Sequence, residues 1–217
     1  VLYYVRSENA EKDYLIKETE LNKVIGNVAM KNKDILLENK IDFIVDVGDK
    51  KVLTDSKWLE FIVNQIVSNS IKYIRSDVEH FIKITAEENN KNTILKIYDN
   101  GIGIEKSDIS KVFNKTFTGN NGRKIETSTG MGLYITKQLC KKLGHKITIE
   151  SKENEFTEIS LIFNKNDFYN VRTKEAWKRN FNILVSDMLC YLFVCQNHIV
   201  ILCTILGKSY WLPNIEN

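Results

Sequence analysis

Apolar and polar positions alternate along the chain in a way that divides it into strands and helices. Thr93 to Asp99 reads as a strand with one buried face, and Asp99-Asn100-Gly101 is turn chemistry that ends it. Asp99 is therefore expected at a strand end, facing a cavity edge. His80 to Ala86 supplies the other arm of a hairpin through Glu88-Asn89-Asn90-Lys91-Asn92, and His80 reads as a surface strand residue. Ile41 to Val47 and Gly48 to Thr54 read as two strands around a turn. Ser56 to Ile74 is the core helix, capped by Asp55 or Thr54, with Leu59, Ile62, Val63, Ile66, Val67 and Ile71 as its apolar stripe. Lys106 to Phe113 reads as a short helix, and Leu133 to Leu143 as a second long one stopped by Gly144, with His145 at its C-terminal cap. Lys146 to Glu150 and Glu155 to Phe163 close the sheet. The segment up to about Leu37 reads as helical, broken near Ile16 to Thr19.

Composition changes this picture little. A chain of 217 residues, 43% hydrophobic and 27% charged, suits one good core, or one core with appendages. A net charge of +3 from interleaved acids and bases gives no reason to expect nucleic acid. The four cysteines, Cys140, Cys190, Cys195 and Cys203, lack metal-ligand spacing and read as free buried thiols. Phe181 to Leu206 is apolar enough to consider as a membrane span, but Asp187, Gln196, Asn197 and His198 interrupt it. An Asp alone costs roughly 2.5 kcal/mol at the bilayer centre, so an extension that packs on the domain or is disordered is the preferred reading.

Candidate chemistry lies in three places. Gly101 and Gly103 are expected at positive φ, where a missing Cβ lets the backbone approach a ligand. Gly130-Met131-Gly132 leads into a helix N-terminus, whose unpaired N–H groups favour anions. Neither glycine pair fits the Walker A or dinucleotide pattern, and the Walker lysine is missing. On the core helix Gln65, Asn69 and Lys72 fall at i, i+4 and i+7 on one face. That face is either a solvated stripe or a ligand face, in which Asn69 offers a neutral oxygen to Mg²⁺ and Lys72 meets phosphate charge. Between the glycine clusters, Asn114 to Thr129 carries Gly119, Gly122, Lys115, Arg123 and Lys124. This is the composition of a phosphate-facing lid or of a surface loop.

Taken in order, Gln65, Asn69, Lys72 and Tyr73, then Asp99-Asn100-Gly101-Ile102-Gly103, Val112-Phe113 and Gly130-Met131-Gly132-Leu133 resemble the catalytic, ATP-binding domain of bacterial sensor histidine kinases. The superfamily, GHKL, is shared with gyrase-type and MutL-type ATPases. The wording of Phe117 to Arg123 and Ser128 to Tyr134 is similar to the bacitracin-sensing subgroup that works beside peptide-antibiotic transporters. The resemblance covers about residues 1 to 170 and implies an α+β fold: a two-layer Bergerat-type sandwich, a mixed sheet covered on one face by helices. It implies that residues 1–37 are the end of a dimerisation helix and a linker, that 38–170 are the ATP-binding domain, and that 171–217 lie outside the family fold.

It also implies roles. Asn69 would be the Mg²⁺ ligand, with Lys72 and Tyr73 near the phosphates and Gln65 a polar orienter. Asp99 would accept a hydrogen bond from the adenine amine while Gly101 and Gly103 pass close to the base. Gly130, Gly132 and Arg123 would face phosphate, and Thr157 would assist adenine through a water. The γ-phosphoryl group would pass to a histidine, mainly through positioning and charge neutralisation. The implied partners are ATP, a histidine-bearing dimerisation domain, a response regulator and an ABC transporter beside a homodimeric, membrane-anchored parent. Three departures stand out. Gln65 replaces the usual Asn, Ser128 opens the second glycine turn, and no phosphoacceptor helix precedes Val1-Leu2-Tyr3-Tyr4-Val5-Arg6, which looks like the end of the second dimerisation helix. A fragment that binds ATP without phosphorylating itself is the expectation.

Overall fold

The computed structural model describes residues 14–75, 77–119 and 129–165, together with four short strands beyond residue 193. The chain divides into two units, Val1–Phe168 and Tyr169–Asn217. In the second unit the described residues form two small antiparallel pairs, β8 (Val194–Cys195) with β9 (His198–Ile199) and β10 (Cys203–Ile205) with β11 (Lys208–Tyr210). Among the described residues no helix is long and apolar enough to cross a membrane. The first unit contains β1 (Lys17–Glu20), α1 (Leu21–Lys31), α2 (Lys33–Glu38), β2 (Ile41–Asp46), β3 (Lys51–Thr54), α3 (Ser56–Lys72), β4 (His80–Glu88), β5 (Asn92–Asp99), α4 (Gly132–Lys142), β6 (Lys146–Lys152) and β7 (Phe156–Asn164).

Five strands form one mixed sheet in the order β2-β4-β5-β7-β6, with β2 parallel to β4 and the other pairs antiparallel. Period-2 alternation puts Ile82, Ile84, Leu95, Ile97, Ile159 and Leu161 on one face, where they share a core with α1, α3 and α4. The opposite face carries Phe81, Tyr98 and Phe156, whose rings stack across three strands at centroid distances of 5.7 and 5.4 Å. The result is the expected α+β, two-layer sandwich. Helix α3 lies at its centre, burying Leu59, Ile62, Val63, Ile66, Val67 and Ile71 as its periodicity requires. At its start Asp55 Oδ1 accepts from the Lys57 and Trp58 amides, and Oδ2 accepts from Leu15 N at 2.8 Å.

The segment before residue 38 is not a single broken helix: the expected break at Ile16 to Thr19 is strand β1, paired with β3 from Lys17↔Thr54 to Glu20↔Lys51. Leu21, Val24, Ile25 and Val28 of α1 belong to the common core, so a boundary at residue 38 falls inside the packed unit. Strands β2 and β3 do flank a turn, with Gly48 at φ +55°, but they join different sheets. Lys106 to Phe113 forms successive turns (Asp108 N to Glu105 O, Lys111 N to Asp108 O) in place of a regular helix.

His80 is not the surface strand residue that its sequence position suggests. It is 5% exposed at the start of β4, with neither ring nitrogen hydrogen-bonded to any described residue, and burial pushes its pKa down. Cys140 is a buried free thiol, as expected, and burial pushes its pKa up to about 12. Helix α4 ends in a Schellman arrangement: Gly144 has φ +76°, Gly144 N donates to Lys141 O, and His145 N donates to Cys140 O. The His145 ring turns inward, with Nε2 2.8 Å from Thr54 Oγ1 and an edge-on contact to Phe163. Burial lowers its pKa to about 4.

A histidine held neutral in the fold takes up a proton first in the unfolded chain, whose imidazoles titrate near 6.5. The stability His145 confers is therefore complete above pH 6.5 and lost as pH falls towards 4, at up to about 1.4 kcal/mol per pH unit. Urea unfolding measured across pH 4 to 7 should show this slope, and His145→Gln should reduce it, leaving the smaller share of His80.

Candidate functional site

Between α3 and the sheet lies a cavity of about 190 Å³. Ile66 of α3, Ile102 and Ile104 of the loop after β5, Leu133 of α4, and Ile149 and Ile159 of the sheet give it apolar walls. Asp99, the last residue of β5, stands at the wall as a carboxylate only 6% exposed. Ser70 Oγ donates to its Oδ2 at 2.7 Å and Gly101 N to its Oδ1 at 3.0 Å. Burial pushes the Asp99 pKa up, and these two donors oppose that shift. A carboxylate so placed keeps a lone pair on each oxygen for a donor inside the cavity.

The walls hold their shape through backbone contacts. Ile102 N donates to Tyr73 O at the end of α3, and Asn154 N donates to Ile102 O from the β6–β7 turn. Gly103 sits at φ +64°, and a Cβ there would collide with the Lys152 carbonyl. Gly101 does not adopt the positive φ expected of it; its requirement is steric, since a Cβ would lie 2.5 Å from Tyr73 O. Gly130, at φ +65°, packs against the Thr116 and Phe117 backbone, where a Cβ would come within 2.5 Å of the Thr116 carbonyl carbon. Gly132 opens α4 against the Gln65 side chain, whose Oε1 would be 2.8 Å from an added Cβ.

Of the expected site residues, Asn69, Tyr73, Asp99, Gly103 and Thr157 line this cavity. Gly101 packs just behind it. Gln65 braces the start of α4, and Lys72 places its ammonium 5.8 Å from the Tyr73 ring centroid. Gly130 and Gly132 flank the cavity through Phe117 and Leu133, their neighbours in the lining. Arg123, Lys124 and Ser128 lie outside the described residues, as does most of the expected lid; Phe117, Thr118 and Gly119 from its start line the cavity. Among the described residues no three His, Cys, Asp or Glu side chains cluster as a metal site.

Two residues escaped sequence reasoning. Ser70 was visible in principle: it lies four residues after Ile66, on the buried stripe of α3, and a hydroxyl there needs a partner. Ser151 had no local signal. Its hydroxyl joins Ile104 N, Phe156 O and Thr157 Oγ1, partners brought together only by the sheet.

A mixed sheet under a core helix, with an apolar slot closed by a buried carboxylate and glycine-braced walls, defines a pocket for a flat ligand that presents hydrogen-bond donors at its inner edge. Residues 54–167 match the family described as histidine kinase-, DNA gyrase B-, and HSP90-like ATPase. The chain belongs to that family, and the matched residues lie within its first unit. It is 32% identical over 165 residues to the sensor histidine kinase YxdK of Bacillus subtilis, a match covering 75% of this chain and 50% of YxdK. It is 35% identical over 164 residues to the sensor protein kinase GraS of Staphylococcus aureus, covering 75% of this chain and 46% of GraS. The chain thus spans about half the length of these relatives. The solved catalytic domain of histidine kinase ThkA superposes with a TM-score of 0.60 at 24% identity, over 69% of this chain and 95% of that domain, and shows the same fold.

Gly103→Ala should therefore damage the pocket from behind. Left-handed strain and the Lys152 collision together are expected to cost more than about 2 kcal/mol, read as a lowered melting temperature.

Proposed function

We propose that this chain supplies the ATP-binding part of a two-component sensor histidine kinase and donates the γ-phosphoryl group to a histidine on a dimerisation domain. The observation that carries this reading is Asp99: a buried, hydrogen-bonded carboxylate facing an apolar slot suits the exocyclic amine of adenine and little else of that size. The apolar walls take the purine faces, and Thr157, directly opposite Asp99 across the β5–β7 ladder, adds a second polar atom.

The residues on the outward side of α3 then face the phosphates. Asn69 lines the cavity and offers a neutral, hard oxygen suited to Mg²⁺. Asn69 would hold the ion, whose chemistry when bound would be neutralisation of phosphate charge. Lys72 and Tyr73 approach the phosphates from the end of the helix, Gly130 and Gly132 present backbone N–H groups at the start of α4, and Arg123 adds a cation. Gln65 acts as an orienter. An amide cannot accept a proton from water, so Gln65 disfavours a gyrase-type hydrolase. The transfer itself draws on alignment and charge neutralisation. The partners of this reading are the histidine-bearing dimerisation domain, a response regulator and, for a homodimeric membrane-bound parent, an ABC transporter. Residues 171–217 stand apart from this function.

Calorimetric titration should find Mg-ATP bound with micromolar-to-millimolar affinity. Asp99→Asn should weaken it roughly ten- to a hundredfold, the worth of a hydrogen bond to a charged group. Because burial raises the Asp99 pKa, its charge costs folding energy above that pKa, and the cost vanishes as pH falls through it. The Asn variant should therefore melt no lower than the parent at neutral pH, which separates lost binding from lost folding. Undiminished binding by that variant would refute the assignment.

For the transfer step, labelled ATP and the purified histidine-bearing domain should yield label on that domain, and Asn69→Ala should abolish it. ATP binding without any such label would leave a nucleotide-binding regulatory module.

A further inference from the structure

The Ser151 hydroxyl has one proton and two lone pairs, and the structure gives it three partners. Ile104 N, an amide, can only donate to it, at 2.9 Å. Phe156 O, a carbonyl, can only accept from it, at 2.6 Å, and that bond consumes the single Ser151 proton. The third contact, to Thr157 Oγ1 at 3.1 Å, then has one possible direction: Thr157 donates to Ser151. Thr157 lines the cavity with its proton already committed, so only its lone pairs remain for a ligand or a water. Asp99, its cross-strand partner, has its oxygens turned to Ser70 and Gly101 and likewise offers only lone pairs.

We propose that Ser151 fixes the hydrogen-bond polarity of the pocket, holding Thr157 as an acceptor beside Asp99, and so selects 6-aminopurine over 6-oxopurine nucleotides. The inference rests on the nucleotide-binding reading and names a residue that touches no ligand itself. A 6-amino group carries two N–H donors for two acceptors. A 6-oxo group would place its lone pairs against a carboxylate and against a threonine that has no proton to give. Ser151 also holds Ile104 in the cavity wall, but that role is indifferent to which purine enters.

The test compares ATP and inosine triphosphate binding to the full chain by titration. The parent should bind inosine triphosphate at least roughly tenfold more weakly than ATP. Ser151→Ala frees the Thr157 hydroxyl to rotate and donate, so the ratio should shrink several-fold, Asp99 retaining part of it, while Ser151→Thr, which keeps the hydroxyl, should restore it. A loosened wall alone would weaken both nucleotides and leave the ratio unchanged. Should Ser151→Ala fail to fold, Thr157→Val removes the same acceptor without disturbing Ile104, and it should lower ATP affinity while sparing inosine triphosphate. A parental ratio in either folded variant, or equal binding of the two nucleotides by the parent, overturns the proposal. Failure of the parent to bind either nucleotide would instead overturn the nucleotide-binding reading beneath it.

Discussion

A buried carboxyl group at the wall of an apolar cavity organises this domain. Burial raises the Asp99 pKa, and the fold offsets the cost with the Ser70 hydroxyl from the last turn of α3 and the Gly101 amide from its own turn. Those two donors fix where α3 and the loop after β5 must lie. The loop in turn is held by Tyr73 O on one side and Asn154 N on the other, so three segments distant in sequence converge on one residue. A pocket built this way is rigid at its base, which suits recognition of one ligand edge.

The glycines acquire a second meaning in this setting. Gly101, Gly103 and Gly130 read in the sequence as places where chain approaches ligand, yet each is pressed against another piece of backbone: Tyr73, Lys152, and Thr116 with Phe117. Close approach of chain to chain makes the walls, and the space left between them is the site. The same small residues thus serve packing and access together, and a substitution at any of them should alter both.

Much of this was legible locally. The stripe of α3 and its Asp55 cap, the β4–β5 hairpin, the stop at Gly144 and the position of Asp99 all follow from patterns within a few residues. What escaped depends on long-range pairing. Lys17–Glu20 is too short and polar to announce a strand, and becomes one only because β3 supplies a partner. His80 looks like an exposed polar residue until the β2–β4 pairing and the helical layer cover it. Ser151 is an ordinary strand serine in sequence and a junction of three hydrogen bonds in the fold.

The most direct measurement is an amide NMR titration of the full chain with Mg-ATP, following the Gly101 amide that bonds to Asp99. If the base sits against Asp99, the Gly101, Ile102 and Ser70 amides and those around Thr157 should shift together and saturate with one dissociation constant. Saturable ATP binding that leaves these amides unmoved, and perturbs resonances elsewhere, would contradict the placement of the nucleotide in this pocket.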